Sequence, residues 1–159
     1  GEVVGVTTAI ESETGSFSGV GFAIPSNTVR REVPVLIESG RYDHPWLGVQ
    51  GIDLRPEIVS AMKLNTTKGW LIVDVITNGP ADKAGLKGGT AQIRIRNTMV
   101  KIGGDVIVKM NDMTIRNGDD ISSFLEERTK PGQVISITII RAGVVQTVSL
   151  TLGTRPPSQ

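Results

Sequence analysis

Few side chains in this sequence are placed for nucleophilic or acid–base chemistry. His44 is the single histidine, and there is no cysteine. Without cysteine neither a disulfide framework nor a thiolate zinc site can form, and no cofactor or metal site is expected. Ser16 and Ser18 lie between Gly15 and Gly19, a setting in which a serine oxygen can be presented as a nucleophile. They do not fit Gly-x-Ser-x-Gly, since Ser16 and Val20 hold the glycine positions around Ser18. A serine–lysine pair stays open, although nothing places a lysine by either serine. Independent catalysis is therefore not expected. His44 reads as a solvent-facing linker residue, and Glu11-Ser12-Glu13 as a solvated loop.

Composition narrows the class. Apolar content of 38% and charge of 21% fit a globular chain and exclude a disordered one. Nineteen glycines with few aromatics suggest many short strands and tight turns. Residues 1–40 carry two basic against five acidic side chains, and residues 41–159 fifteen against eleven. The basic residues are scattered, not gathered in a stripe, so nucleic-acid binding is not expected. No apolar run reaches the length of a membrane span, and no signal-peptide pattern opens the chain. The 159 residues allow one domain, or a small domain plus a fragment. Beginning at Gly1 without Met, the chain is expected to be a processed or engineered piece of a longer protein.

The elements that must position any site follow from periodicity. Residues 2–10 read as a mostly buried strand, 11–18 as a loop and 20–24 as a second strand. Pro25 stops that strand, and Ser26 or Asn27 is expected to cap a helix. Its stripe is Val29, Val33, Leu36 and Ile37; Pro34 is expected to kink or split it, and Gly40 to end it. Two strands and a helix are too few to stand alone, so 1–40 reads as the tail of a domain. A linker follows at 41–45. Beyond it come strands at 46–52 and 69–76, with a short helix at 56–63 between them. Asn78-Gly79-Pro80 turns into a helical stretch at 81–84. A hairpin joins 92–96 to 99–102 across Asn97-Thr98. Strands at 106–110 and 113–115 flank Asn111-Asp112. Asn117 caps a helix with Asp119 and Asp120 in its first turn, favourable to the helix dipole. Pro131-Gly132 ends it, and strands 133–140 and 144–152 close around Ala142-Gly143. The fold class is mainly β with short helices (α+β), and 154–159 is a tail.

Two ordered sets of motifs resemble a known family. Gly1-Glu-Val-Val-Gly-Val-Thr-Thr-Ala9 and Gly21-Phe-Ala-Ile-Pro-Ser-Asn27 resemble the last strands of the trypsin-like domain in HtrA/Deg (high-temperature-requirement) serine proteases. Trp46-Leu-Gly-Val49, Gly79-Pro-Ala-Asp-Lys-Ala-Gly-Leu86, Gly104-Asp-Val-Ile107 with Asn111, and Lys130-Pro-Gly132 are similar to that family's PDZ domain. The resemblance implies terminal elements of a chymotrypsin-like β-barrel at 1–40 and a PDZ domain at 46–153. It also implies that the His-Asp-Ser triad lies before Gly1, with the serine in a Gly-Asn-Ser-Gly-Gly-Pro type motif, so the parent is a serine endopeptidase and this chain is inactive. One departure stands out. Residues 87–103 are inserted, with the pairs Gly88-Gly89 and Gly103-Gly104 flanking the added hairpin and Arg94 and Arg96 alternating with Ile93 and Ile95. They read either as a partner-facing edge or as a solvated ribbon.

By resemblance, the peptide-binding residues are Trp46, Leu47, Gly48, Val49, Gln50 and Ile52 on one side, and Ile121, Leu125 and Arg128 on the other. A PDZ domain adds an extended peptide to a sheet edge beside a helix. Gly48 lets the terminal carboxylate approach backbone N–H groups, and Leu47 and Val49 offer an apolar socket. Periodicity alone favours reading the whole Ile121/Leu125 stripe as core; the resemblance instead puts these two in the groove, with Phe124 in the core beneath. The partners implied are apolar C-terminal peptides and misfolded proteins, in quality control outside the cytoplasm or tethered at a membrane. An alternative is a structural module whose orphan strands pair with another chain, giving a homo-oligomer.

Overall fold

A computed structural model describes residues 1–10 and 21–156. The expectations for 11–18, for Ser16 and Ser18, and for the end of the tail lie outside the described residues. The chain forms two compact units, Gly1–Tyr42 and Asp43–Gln159.

In the first unit β1 (Gly5–Ile10) pairs antiparallel with β2 (Gly21–Pro25), with a bulge between Thr7 and Ala9. The helix α1 (Ser26–Ser39) follows directly and ends at left-handed Gly40, whose N–H donates to the Leu36 carbonyl. The capping expectation is corrected. Pro25 holds the N-cap position and no side chain caps the helix. Nor does Pro34 split it; the helix runs through. Proline's fixed φ suits a helix, and the bond it removes would have ended on Arg30, an exposed residue. The mostly buried first strand is also corrected. Val3 and Val4 are 70% and 84% exposed, and α1 buries none of its residues. Two strands and a helix have no second layer to cover these side chains.

The second unit is built on a sheet of order β11-β10-β8-β5-β4, with β9 added to β8. Its elements are β3 (Pro45–Trp46), β4 (Val49–Asp53), α2 (Pro56–Ala61), β5 (Trp70–Val75) and α3 (Pro80–Lys83). They continue with β6 (Ala91–Ile95), β7 (Thr98–Ile102), β8 (Val106–Met110) and β9 (Met113–Thr114). Last come α4 (Gly118–Arg128), β10 (Val134–Arg141), β11 (Val144–Thr151) and β12 (Gly153–Thr154), which pairs with β3. The 46–52 strand is broken, because Gly48 turns the chain at φ 77 between β3 and β4. The hairpin turn sits one residue early, since Ile95 pairs with Thr98.

Alternation along β5 and β8 gives the sheet two dry faces. Ile72, Ile107 and Met110 join Phe124, Ile137 and Leu150 in one cluster, under α3 and α4. Leu71 and Val106 point the other way, to Ile58 of α2 and to Ile95 and Ile102 of the inserted hairpin. The insertion is therefore neither a solvated ribbon nor only an edge. Its apolar side, with Ile95 5% exposed, closes the second face of the sheet. Asp105 fixes its base: the carboxylate is 1% exposed, accepts from the Lys87 N–H at 2.8 Å, and takes a two-pronged bond from Arg141 at 2.6 and 2.7 Å. A carboxylate so buried is tolerable only because guanidinium and amide donors satisfy both oxygens.

Candidate functional site

The glycine turn and the edge strand come first. Gly48 adopts a left-handed conformation that β-carbons disfavour, and a Cβ there would lie 3.2 Å from Pro80 Cδ and 3.3 Å from the Trp46 ring. The turn is locked from behind. The Leu47 carbonyl accepts from the Ala81 N–H and the Gly48 carbonyl from the Ile76 N–H, both at 2.9 Å. Leaving that turn, β4 pairs with β5 on one side and is the last strand in the sheet order. Its other edge carries no strand among the described residues, so its backbone groups there remain available for pairing.

The helix beside this edge is set by contacts far apart in sequence. Asp53, at the end of β4, accepts the Gly118 N–H at 2.8 Å and so binds the start of α4 to the strand. The Trp70 indole lies between them: a Cβ on Gly51 would fall 2.6 Å from its ring, and one on Gly118 2.9 Å from its Nε1. Both positions thus need glycine for close approach. Asn117 caps α4 as expected, its Oδ1 accepting from the Asp120 N–H at 3.0 Å. Asp120 in turn accepts from Arg116 Nε at 2.9 Å, Arg116 Nη2 at 2.9 Å and the Arg116 N–H at 2.8 Å. These donors hold its carboxyl down from the usual 3.8 to about 2, against the upward pull of burial. Sequence reading gave Asp53, Trp70 and Gly118 no role in a site, because nothing local names a partner so far along the chain.

Of the residues expected to bind peptide, Leu47, Ile121 and Leu125 come together in the buried cluster beneath α4, at 3%, 5% and 6% exposure, with Val49 packed against them. Phe124 lies in the same cluster. Trp46 is half-buried, while Gln50 and Arg128 are exposed. The Ile52 side chain packs on the opposite face, against the cluster containing Ile58.

His44 is not the solvent-facing linker residue expected. It is half-buried, with Nδ1 2.9 Å from Glu126 Oε2 on α4. Its carbonyl accepts from the Arg155 N–H at 2.9 Å, and Arg155 Nη2 lies 3.6 Å from Glu126 Oε1. The imidazole thus ties the start of the unit to the last turn of α4.

The chain is similar to known proteins along nearly all its length. Residues 45–152 match the PDZ domain family. The chain is 34% identical over 164 residues to the periplasmic serine endoprotease DegP of Salmonella typhimurium, covering all of this chain and 30% of that protein. It is 32% identical over 156 residues to a probable periplasmic DegP-like serine endoprotease of Rhizobium meliloti, covering 98% of this chain and 28% of the relative. Among solved structures it resembles the HtrA-type protease AlgW with decapeptide, at TM-score 0.76 and 33% identity, covering 98% of this chain and 43% of that one. The chain thus spans under a third of the length of these curated relatives.

Proposed function

Since the chain belongs to the PDZ domain family, and its relatives along nearly all its length are HtrA/DegP serine proteases, we propose that it is the peptide-binding regulatory portion of such an endopeptidase. It takes up apolar C-terminal peptides, including those of misfolded proteins. The observation that carries this reading is the edge of β4 that no strand covers among the described residues, beginning at the Gly48 turn and running beside α4. A peptide strand added there gains main-chain hydrogen bonds from β4 and apolar contact from Leu47, Val49, Ile121 and Leu125. Its terminal carboxylate meets the backbone of the Trp46–Val49 turn, where glycine permits the approach. In the first stretch of α4, Ile121 is apolar at the position where a polar side chain would select Ser or Thr, which supports a preference for apolar termini. Gln50 and Ile52 supply strand backbone, and Arg128 borders the far end of the helix.

Proteolysis is not proposed for this chain itself. Its one imidazole is engaged by Glu126, and no cofactor or metal is invoked. The relatives' periplasmic naming supports an extracytoplasmic location, and no described helix is long and apolar enough to cross a membrane. Residues 1–40 are read as the closing elements of the protease domain, 41–45 as a linker and 46–153 as the PDZ domain. The decisive experiment is a titration with an apolar peptide and its C-terminally amidated twin. Micromolar binding, about −8 kcal/mol, is expected for the free carboxylate, with a clear loss for the amide; equal affinities would remove the carboxylate from the site.

A second reading rests on the exposure of Val4 (84%) and Ile37 (82%), which suits pairing of the first unit with another chain. Light scattering that returns a dimer mass supports it, and a monomer mass at high concentration excludes it.

A further inference from the structure

The sheet face turned away from α4 carries a cleft whose side chains the peptide reading does not use. It measures about 380 Å³ and lies where the end of β4, the start of α2 and the β6–β7 hairpin meet. Ile52, Ile58, Ile95 and Val100 line its apolar part. Arg55, Arg96 and the Thr98 hydroxyl stand with them, and no acidic residue does. Both arginines are exposed at the residue level, and among the described residues neither guanidinium has a hydrogen bond or ion pair. Two like charges gathered over one apolar floor repel each other and gain most from a shared anion.

The turn of the β6–β7 hairpin carries one of these charges. Arg96 sits at φ 52, a left-handed conformation that glycine or asparagine adopts more easily. Asn97 is next in the chain and would suit that position better. The turn thus sets Arg96 beside Thr98 in the lining of the cleft.

We propose that this cleft binds a free alkyl carboxylate, with the chain against the isoleucines and the carboxylate between Arg55 and Arg96. Its volume lies within the range of small-molecule sites. The apolar lining is wholly aliphatic, and beyond the two guanidiniums only Thr98 offers a polar side chain. A peptide main chain laid there would lack partners for most of its donors and acceptors; an unbranched hydrocarbon has none to satisfy. The proposal does not depend on the β4–α4 peptide site.

The test is an NMR titration of the whole chain with sodium decanoate below its micelle concentration, with decanol and with acetate as controls. Saturable shifts are expected at Ile52, Ile58 and residues 95–100, at least about tenfold tighter for decanoate than for either control. The double variant R55Q/R96Q should lose about tenfold or more in decanoate affinity while its denaturation midpoint stays unchanged. Decanol binding as tightly as decanoate, or unchanged affinity in the double variant, overturns the proposal. Shifts confined to residues 47–49 and 121–125 overturn it too, because they place the carboxylate in the peptide site. Anionic vesicles form a further arm: binding to vesicles without binding of monomeric decanoate makes the surface a membrane contact and rejects the free-ligand site.

Discussion

In α1, Val33, Leu36 and Ile37 repeat at helical spacing much as Ile121 and Leu125 do in α4. The first set stays open, with Ile37 82% exposed, while the second is 5% and 6% exposed. The difference does not lie in the helices' own sequences. The second unit lays α4 over a five-strand path whose inner face supplies Ile72, Ile107 and Ile137. The first unit offers two strands, and β2 is exposed at every position. An apolar stripe is thus a request for a surface, and only one of the two units answers it within itself.

The sharpest challenge to this contrast is a matched pair of truncations followed by chemical denaturation. Phe124→Ala should destabilise the second unit by about 3–5 kcal/mol, because it empties a fully buried site. Ile37→Ala should stay within about 0.5 kcal/mol, as for exposed positions generally. A large effect at Ile37 would mean that the first unit is covered in solution by something, and the contrast would fall.

A smaller effect belongs to the start of α4. Asp120 has its carboxyl lowered to about 2, chiefly by Arg116. The folded value lies below the ordinary one, so its stabilisation is fully present above about pH 4 and is lost as pH falls toward 2. Arg116 is largely exposed, so solvent screening keeps the effect modest. In R116Q the Asp120 titration followed by carboxyl-carbon NMR should move part of the way back towards 3.8, since the Arg116 backbone N–H remains a donor. An unmoved titration would show that the backbone bond alone holds the group, and nothing at this helix start would rest on the arginine.

Local signals carried through well. The Asn117 cap, the Gly40 stop and the closing hairpin needed only neighbours in sequence, and each formed where residue type demanded it. What stayed hidden was pairing at a distance. Ile93 and Ile95 alternate as one face of a strand should, but alternation does not say which sheet face they will cover. The same limit applies to the candidate site. Periodicity ran a strand straight through 46–52, where Gly48 in fact turns the chain, and the Asp53–Gly118 bond and the Trp70 ring between them join residues 53, 70 and 118. His44 was misjudged for the same reason, since its partner lies 82 residues away.

The short ladder of β3 and β12 has a mechanical consequence. Pro45 pairs with Thr154 and Trp46 with Gly153, and the Arg155 N–H then reaches the His44 carbonyl. The two ends of the unit therefore leave side by side, through antiparallel strands of two residues each. A pull that separates those ends loads this ladder from its open side, so its bonds give way one after another instead of sharing the force. The pair would unzip first under tension, freeing slack at both ends while the sheet and both its apolar faces stay folded.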